Sequence, residues 1–110
     1  MDKISFKDFQ KLDLRVATIK EVKDHPNADK LFILKVDLGS DGERQLIAGI
    51  KGAYEKSGLE GKQIVIASNL EPATIRGVES KGMLLAAEGE MGKPILIIPE
   101  KKTAPNTKIR

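Results

Sequence analysis

Catalytic chemistry has little to work with in this sequence. His25 is the sole histidine and sits beside Pro26 in an aspartate-rich turn, the setting of a solvated or locally bonded ring. Zinc needs three or four converging His, Cys or acidic ligands, and no compact stretch offers them. Cysteine is absent, which excludes disulfides, thiolate nucleophiles and cysteine metal sites. Ser40, Ser57, Ser68 and Ser80 have no histidine base in sequence context. The glycine-rich "GSDG" at 39–42 lacks the Gly-Lys-Ser/Thr that completes a phosphate loop. No catalytic residue, metal ligand or cofactor is assigned, and the chain reads as a protein that is not an enzyme.

Binding chemistry has more material. Residues 69–82, "NLEPATIRGVESKG", set Arg76 and Lys81 around Gly77 and Gly82, with Glu71 and Glu79 nearby. An arginine fork holds a phosphate through two parallel bonds. Glycines let the backbone come close to a ligand or adopt positive φ. Asn69 and Ser80 are donors for phosphate or ribose oxygens, and Lys81 adds a mobile charge. The plain alternative is a connection that uses glycine to turn and charge to stay soluble. Structureless connections of this length are uncommon and often functional.

The frame that must position these groups is one small domain of 110 residues. Its 40% hydrophobic and 32% charged residues fit a globular chain, not a disordered one. Four aromatic residues (Phe6, Phe9, Phe32 and Tyr54) leave the core mainly aliphatic. No signal peptide and no run of membrane-spanning length is present, so the cytoplasm is the default location and no membrane partner is expected. Nineteen basic residues against sixteen acidic give a formal charge of +3. From Lys93 onward, Lys93, Lys101, Lys102, Lys108 and Arg110 face the single acid Glu100. That basic end is either one edge of an anion-binding surface or an ordinary solvated tail.

"ISFKDF" predicts a short N-terminal helix over about 5–12. Ser5 is the cap, Asp8 the reciprocating acid, and Ile4 and Phe9 form a hydrophobic staple. A helix of about two turns needs a surface to dock on, in its own domain or on another subunit. Leu14, Val16, Ile19 and Val22 are spaced as a long strand with a bulge. "DHPNAD" is a turn. Phe32 to Leu38 is a second strand, 39–42 a tight reversal and Glu43 to Gly49 a third strand. A short helix over 52–57, stopped by Gly58, precedes a fourth strand at Lys62 to Ser68. Met83 to Ala87 makes a fifth strand and Pro94 to Ile98 an added sixth.

This order predicts an all-β protein: a five-stranded oligonucleotide/oligosaccharide-binding barrel (OB-fold) with a short helix between strands three and four, an N-terminal helix and a C-terminal extension over about 89–110. The barrel itself spans about 14–88. A long bulged first strand suits a sheet that must close on itself; another small barrel of SH3 type is the competitor. In an OB barrel, residues 69–82 fall in the loop that flanks the nucleic-acid groove. The scarcity of aromatics argues against base stacking and for recognition of backbone and shape.

"DLRVATI" (13–19), "HPNADKL" (25–31), "LKVDLG" (34–39), "GIKGAY" (49–54) and "NLEPATIRGVESKGMLLAAE" (69–88) together resemble the EMAP-II-like tRNA-binding domain. This domain occurs on methionyl-tRNA synthetases, as their beta subunit and as a stand-alone protein. The resemblance covers about residues 6–109. It implies an OB-fold homodimer that binds the outer corner of folded tRNA without catalysing a reaction, and a possible partner in the methionyl-tRNA synthetase catalytic subunit. It further implies that Asn69, Arg76, Gly77, Ser80 and Met83 line or support the tRNA-facing loop. Lys30 and Lys51 join Lys81 among the candidate tRNA contacts, and His25, Asn27 and Lys30 belong to the first shared turn. The dimer interface it implies uses Phe6, Phe9, Ile95, Ile97 and Ile109.

Two positions depart from the family pattern. Glu71 stands where lysine is common, which removes a contact and adds repulsion if that position faces phosphate. Ala48 stands where serine is frequent. A related branch with the same barrel comprises export chaperones that bind unfolded polypeptide; a protein–protein adaptor is the other alternative. The intact "IRGVES" and "HPNADKL" favour tRNA binding over the chaperone reading, and the adaptor role stays open.

Overall fold

The structure is a computed structural model that describes residues 1–110. α1 (Phe6–Phe9) is capped as expected at one end: the Ser5 hydroxyl accepts from the Asp8 amide at 3.0 Å. The reciprocal half of the cap does not form, because the Asp8 carboxylate turns to Lys11 at 3.0 Å. The helix is also shorter than the expected 5–12, and it buries none of its residues. Ile4 is exposed, so no staple closes over the helix start.

β1 (Leu14–Asp24) decides the architecture. Its first half pairs antiparallel with β4 (Gln63–Ala67) and its second half with β2 (Phe32–Asp37), Thr18 facing a partner on both sides. A bulge at Lys20 shifts the register between Ile19 and Glu21 and bends the strand so that one segment serves two neighbours. The bulge is held from the side: the Ile19 amide donates to Lys62 O at 2.9 Å and its carbonyl accepts from the Gly61 amide at 2.8 Å. β2 continues into β3 (Glu43–Ala48) across a 3₁₀ turn at Gly39–Asp41. Phe32, Leu34 and Val36 point inward while Lys35 is exposed, the alternation of a half-buried strand.

α2 (Lys56–Leu59) lies between the third and fourth strands as expected, but it begins at Lys56, not at 52, and runs through Gly58 without stopping there. Leu59 is fully buried and anchors this turn to the barrel, and Gly61 (φ +87°) ends it. Burial outweighs the poor helix propensity of a single glycine.

The segment 69–82, expected to be irregular, contains a hairpin of β5 (Ala73–Ile75) and β6 (Val78–Ser80). Its connecting residues Arg76 (φ +53°) and Gly77 (φ +88°) are both left-handed, the pattern of a tight two-residue hairpin turn. The expected fifth strand is split into β7 (Met83–Leu84), paired with β4, and β8 (Ala86–Glu88), paired with β9 (Pro94–Leu96). Leu85 makes the exchange: its amide donates to Val65 O at 3.0 Å and its carbonyl accepts from the Ile97 amide at 3.1 Å.

The main sheet runs β3-β2-β1-β4-β7, and the barrel nearly closes where the Lys81 amide donates to Gln45 O at 2.8 Å. Inside is a cluster of fifteen buried residues, all aliphatic except Phe32. The basic end is not a loose tail. β10 (Lys108–Ile109) pairs with β1 at Leu14 and Arg15, and the Asn106 amide donates to Val16 O at 2.7 Å. No helix is long and apolar enough to cross a membrane.

Candidate nucleic-acid interface

The β5–β6 hairpin stands on β3. Ser80 is buried, its hydroxyl accepting from the Ile47 amide at 3.0 Å and donating to Gly82 O at 3.0 Å. It therefore supports the hairpin from below and does not face out of it. Gln45 adds a second strut by donating to Glu79 O at 2.8 Å. At Gly82 (φ +124°) a Cβ would come within 2.9 Å of Ala67 O and 3.2 Å of Leu46 Cδ2, so only glycine fits where the chain passes from hairpin to β7.

Above this base, the turn at 25–30 grips the hairpin tip. His25 is buried; its Nδ1 accepts from the Asn27 amide at 3.0 Å and its Nε2 lies 2.9 Å from Ile75 O. An acceptor at Nδ1 puts the ring proton on Nε2, which donates to that carbonyl. Asn27 Nδ2 donates to Arg76 O at 3.2 Å, and Arg76 Nη2 donates to Asn27 O at 3.1 Å.

Arg76 is exposed and enters none of the ion pairs in the molecule. One bond to Asn27 orients its guanidinium and leaves most of its donors for a ligand. Lys81 Nζ lies 3.7 Å from Glu79 Oε1, with both side chains more than half exposed; such a pair is weak and easily exchanged. Gly77 is exposed beside Arg76, Met83 is partly exposed on β7, and Lys30 is exposed with no ion-pair partner. Lys51 is committed elsewhere: it and Lys56 bracket the Asp24 carboxylate at 3.1 and 2.9 Å. The Lys56 and Lys51 hydrogen bonds hold Asp24 below the usual carboxylate range. Glu71 is exposed at the foot of the hairpin.

Asn69 is occupied at the other end of the segment. Its Oδ1 accepts from the Asp13 amide at 2.8 Å and its Nδ2 donates to Lys11 O at 2.6 Å. It thereby ties the 69–82 segment to the junction between α1 and β1.

Of the residues expected at a dimer interface, Phe6, Phe9 and Ile109 line one apolar groove with Leu12 and Leu14. The two rings lie 6.2 Å apart, and Phe6 is 71% exposed. Ile95 and Ile97 are exposed on and just beyond β9, with Ile95 lining a separate depression beside Tyr54 and Gly89. Neither they nor Met83 meets the Phe6 groove within this chain.

No aromatic ring sits on the hairpin. Phe32 is in the core, and Tyr54 packs against it with its hydroxyl accepting from the Leu96 amide at 3.1 Å. The residues the sequence reading missed are Gln45 and Gln63, which brace the hairpin and the C-terminal segment. Nothing in their spacing marks them. The hairpin was missed as well; the signal that could have found it is "ATIRGVES", two short runs flanking a residue–glycine pair.

A nearly closed OB barrel with a hairpin added between its fourth and fifth strands defines the class of this protein: an OB-fold domain. The sequence profile of the family described as "Putative tRNA binding domain" matches residues 14–108, and the chain belongs to that family. It is 53% identical to a methionine–tRNA ligase of Pyrococcus horikoshii over its whole length, while spanning only 15% of that ligase. Among solved structures it resembles a MetRS related protein from Pyrococcus horikoshii (33% identity, TM-score 0.92, 100% of both chains). It also resembles the chaperone CsaA from Bacillus anthracis (31% identity, TM-score 0.90, 99% of this chain and 100% of the other).

Proposed function

We propose that this domain binds folded tRNA at its outer corner, through phosphate and ribose contacts, as an accessory to methionyl-tRNA synthesis or as a stand-alone tRNA-binding protein. The observation that carries the reading is Arg76: an exposed guanidinium without a carboxylate partner, held on a braced hairpin of an OB barrel. Gly77, Lys81, Lys30 and Met83 supply further contacts in this reading, with Asn69 and Ser80 supporting the loop. Lys51 contributes by exchanging Asp24 for phosphate. With no aromatic platform on the hairpin, the recognition is of backbone contour.

The domain acts as a two-fold homodimer, the Phe6–Phe9–Ile109 groove closing against its copy and Ile95 and Ile97 extending the contact. The exposed rings of a helix that buries nothing in its own chain support this. A monomer mass by light scattering at micromolar concentration would rule it out.

The decisive experiment is a gel shift comparing folded tRNA with an unfolded or hairpin RNA of matching charge, repeated across salt concentrations. Preference for the folded form and affinity that falls steeply with salt, as released counterions demand, support the proposal. Equal binding of all RNAs would reduce it to general cation attraction. The likeness to the chaperone CsaA favours a second reading, in which the exposed Ile95, Ile97 and Ile98 hold an unfolded polypeptide; competition by peptide but not by tRNA would establish that one.

A further inference from the structure

We infer that His25 and Asn27 are positioning residues for the recognition hairpin, a latch that sets Arg76 in its binding geometry before RNA arrives. The inference rests on the tRNA-binding reading above and names how that site is held. Arg76 lies in the left-handed region (φ +53°), which costs an L-residue energy and is kept only where its surroundings over-determine it. Ile75, which precedes the turn, and Arg76, its first residue, are tied by three bonds from one place: His25 Nε2–H to Ile75 O, Asn27 Nδ2–H to Arg76 O, and Arg76 Nη2–H to Asn27 O. The last of these also fixes the guanidinium itself.

The His25 ring is suited to this because it works at both edges. Nδ1 accepts from the Asn27 amide and so fixes the local turn, while Nε2 reaches fifty residues along the chain to the hairpin. No acidic side chain bonds the ring, so its orientation comes from these two main-chain contacts. A loop held in its bound shape loses less freedom on binding than a mobile one, so the latch raises affinity without touching RNA.

Two conservative variants separate the edges of the ring. In His25→Gln the amide nitrogen retains the reach of Nε2 toward Ile75 but loses the acceptor for the Asn27 amide. In His25→Asn the short side chain keeps that acceptor and loses the reach. His25→Leu loses both, and Asn27→Ala removes the exposed arm at little risk to folding. The measurements are tRNA gel shifts, thermal melts and amide hydrogen exchange across 73–80 on the full chain. Expected are binding about tenfold weaker for His25→Leu, an effect of about 1.4 kcal/mol, and partial recovery in Gln but not in Asn. Exchange across 73–80 should quicken in the Leu and Asn27→Ala variants while that of β1 and β4 stays unchanged. Combined with Asn27→Ala, loss of the Arg76 side chain should cost less than in wild type, the signature of coupled residues.

If wild type binds tRNA and all four variants bind equally well, or if Asn27→Ala and Arg76 losses simply add, the latch is overturned. Quickened hairpin exchange in a protein whose wild type ignores tRNA would retain the mechanical latch and overturn the tRNA reading instead. A His25→Leu variant that melts globally moves the decision to Asn27→Ala, whose binding and exchange results stand alone.

Discussion

The side chain of Gln63 pairs with the backbone of Thr103 as a neighbouring strand would. Its Nε2 donates to Thr103 O at 2.6 Å and its Oε1 accepts from the Thr103 amide at 3.0 Å. One amide group on β4 thus completes the docking of a C-terminal segment otherwise joined to β1 through Leu14, Arg15 and Val16. Replacing it with Gln63→Ala should cost about 1–3 kcal/mol, the penalty for leaving buried polar partners unsatisfied. Denaturant melts measure the loss, and amide exchange should quicken at 103–109 before it does in the barrel. A melt unchanged from wild type would mean that the segment is held without Gln63.

Gly82→Ala should be among the most destabilising single changes in the chain. A Cβ there meets the Ala67 carbonyl, which is strand backbone and cannot step aside, and the φ of +124° is closed to L side chains. Strain of this kind costs about 1–3 kcal/mol before the collision is added. Thermal denaturation would detect it, with hairpin and β7 displaced together.

Arg76→Asn separates binding from folding more cleanly than truncation. Asparagine followed by Gly77 is a favoured pair for a two-residue hairpin turn, so the backbone is retained while the guanidinium disappears. Unfolding free energy should stay within about 1 kcal/mol of wild type, the size of the single lost bond to Asn27 O. Affinity for tRNA should fall about tenfold, and the dependence on salt should flatten by about one phosphate contact. A large melt shift would make Arg76 structural.

Acid should loosen the α1–β1 junction. The Arg15 hydrogen bond at 2.7 Å, helped by Ser68 and opposed by partial burial, holds the Asp13 carboxyl below its ordinary 3.8. A carboxyl depressed in the folded state binds its proton more readily when unfolded, so it stabilises the fold above the ordinary value. That contribution fades as pH falls from about 3.8 through the lower folded value. The stability gap between wild type and Asp13→Asn should therefore be level from neutral pH to about 5 and shrink below about 4, readable in urea melts across that range. A gap that does not change with pH would overturn the role of the ionised carboxylate, and no gap at any pH would mean that Asp13 works only through its backbone bonds to Asn69 and Ser68, which the variant keeps.

Local patterns determined much of this protein. The inward spacing of β2, the bulge in β1, the Ser5 cap and the turn at 25–30 follow from side-chain period and turn chemistry, which act over a few residues. The order of these elements fitted an OB barrel but left a small barrel of SH3 type as a competitor, and the family motifs decided between them. The role of each polar residue was decided by tertiary structure. Ser80 and Asn69 looked like ligand donors, yet each is occupied by backbone partners that only folding delivers. His25 looked like a loop histidine and became a clamp across fifty residues. The basic end read as either an anion-binding edge or a solvated tail; its cations are exposed, and what folding added is a backbone pairing with β1 at Leu14 and Arg15. A hydrogen bond depends on direction and distance to a partner remote in the chain, and spacing along the sequence carries neither. Burial pattern does survive in the sequence, because it repeats with the pleat of the strand.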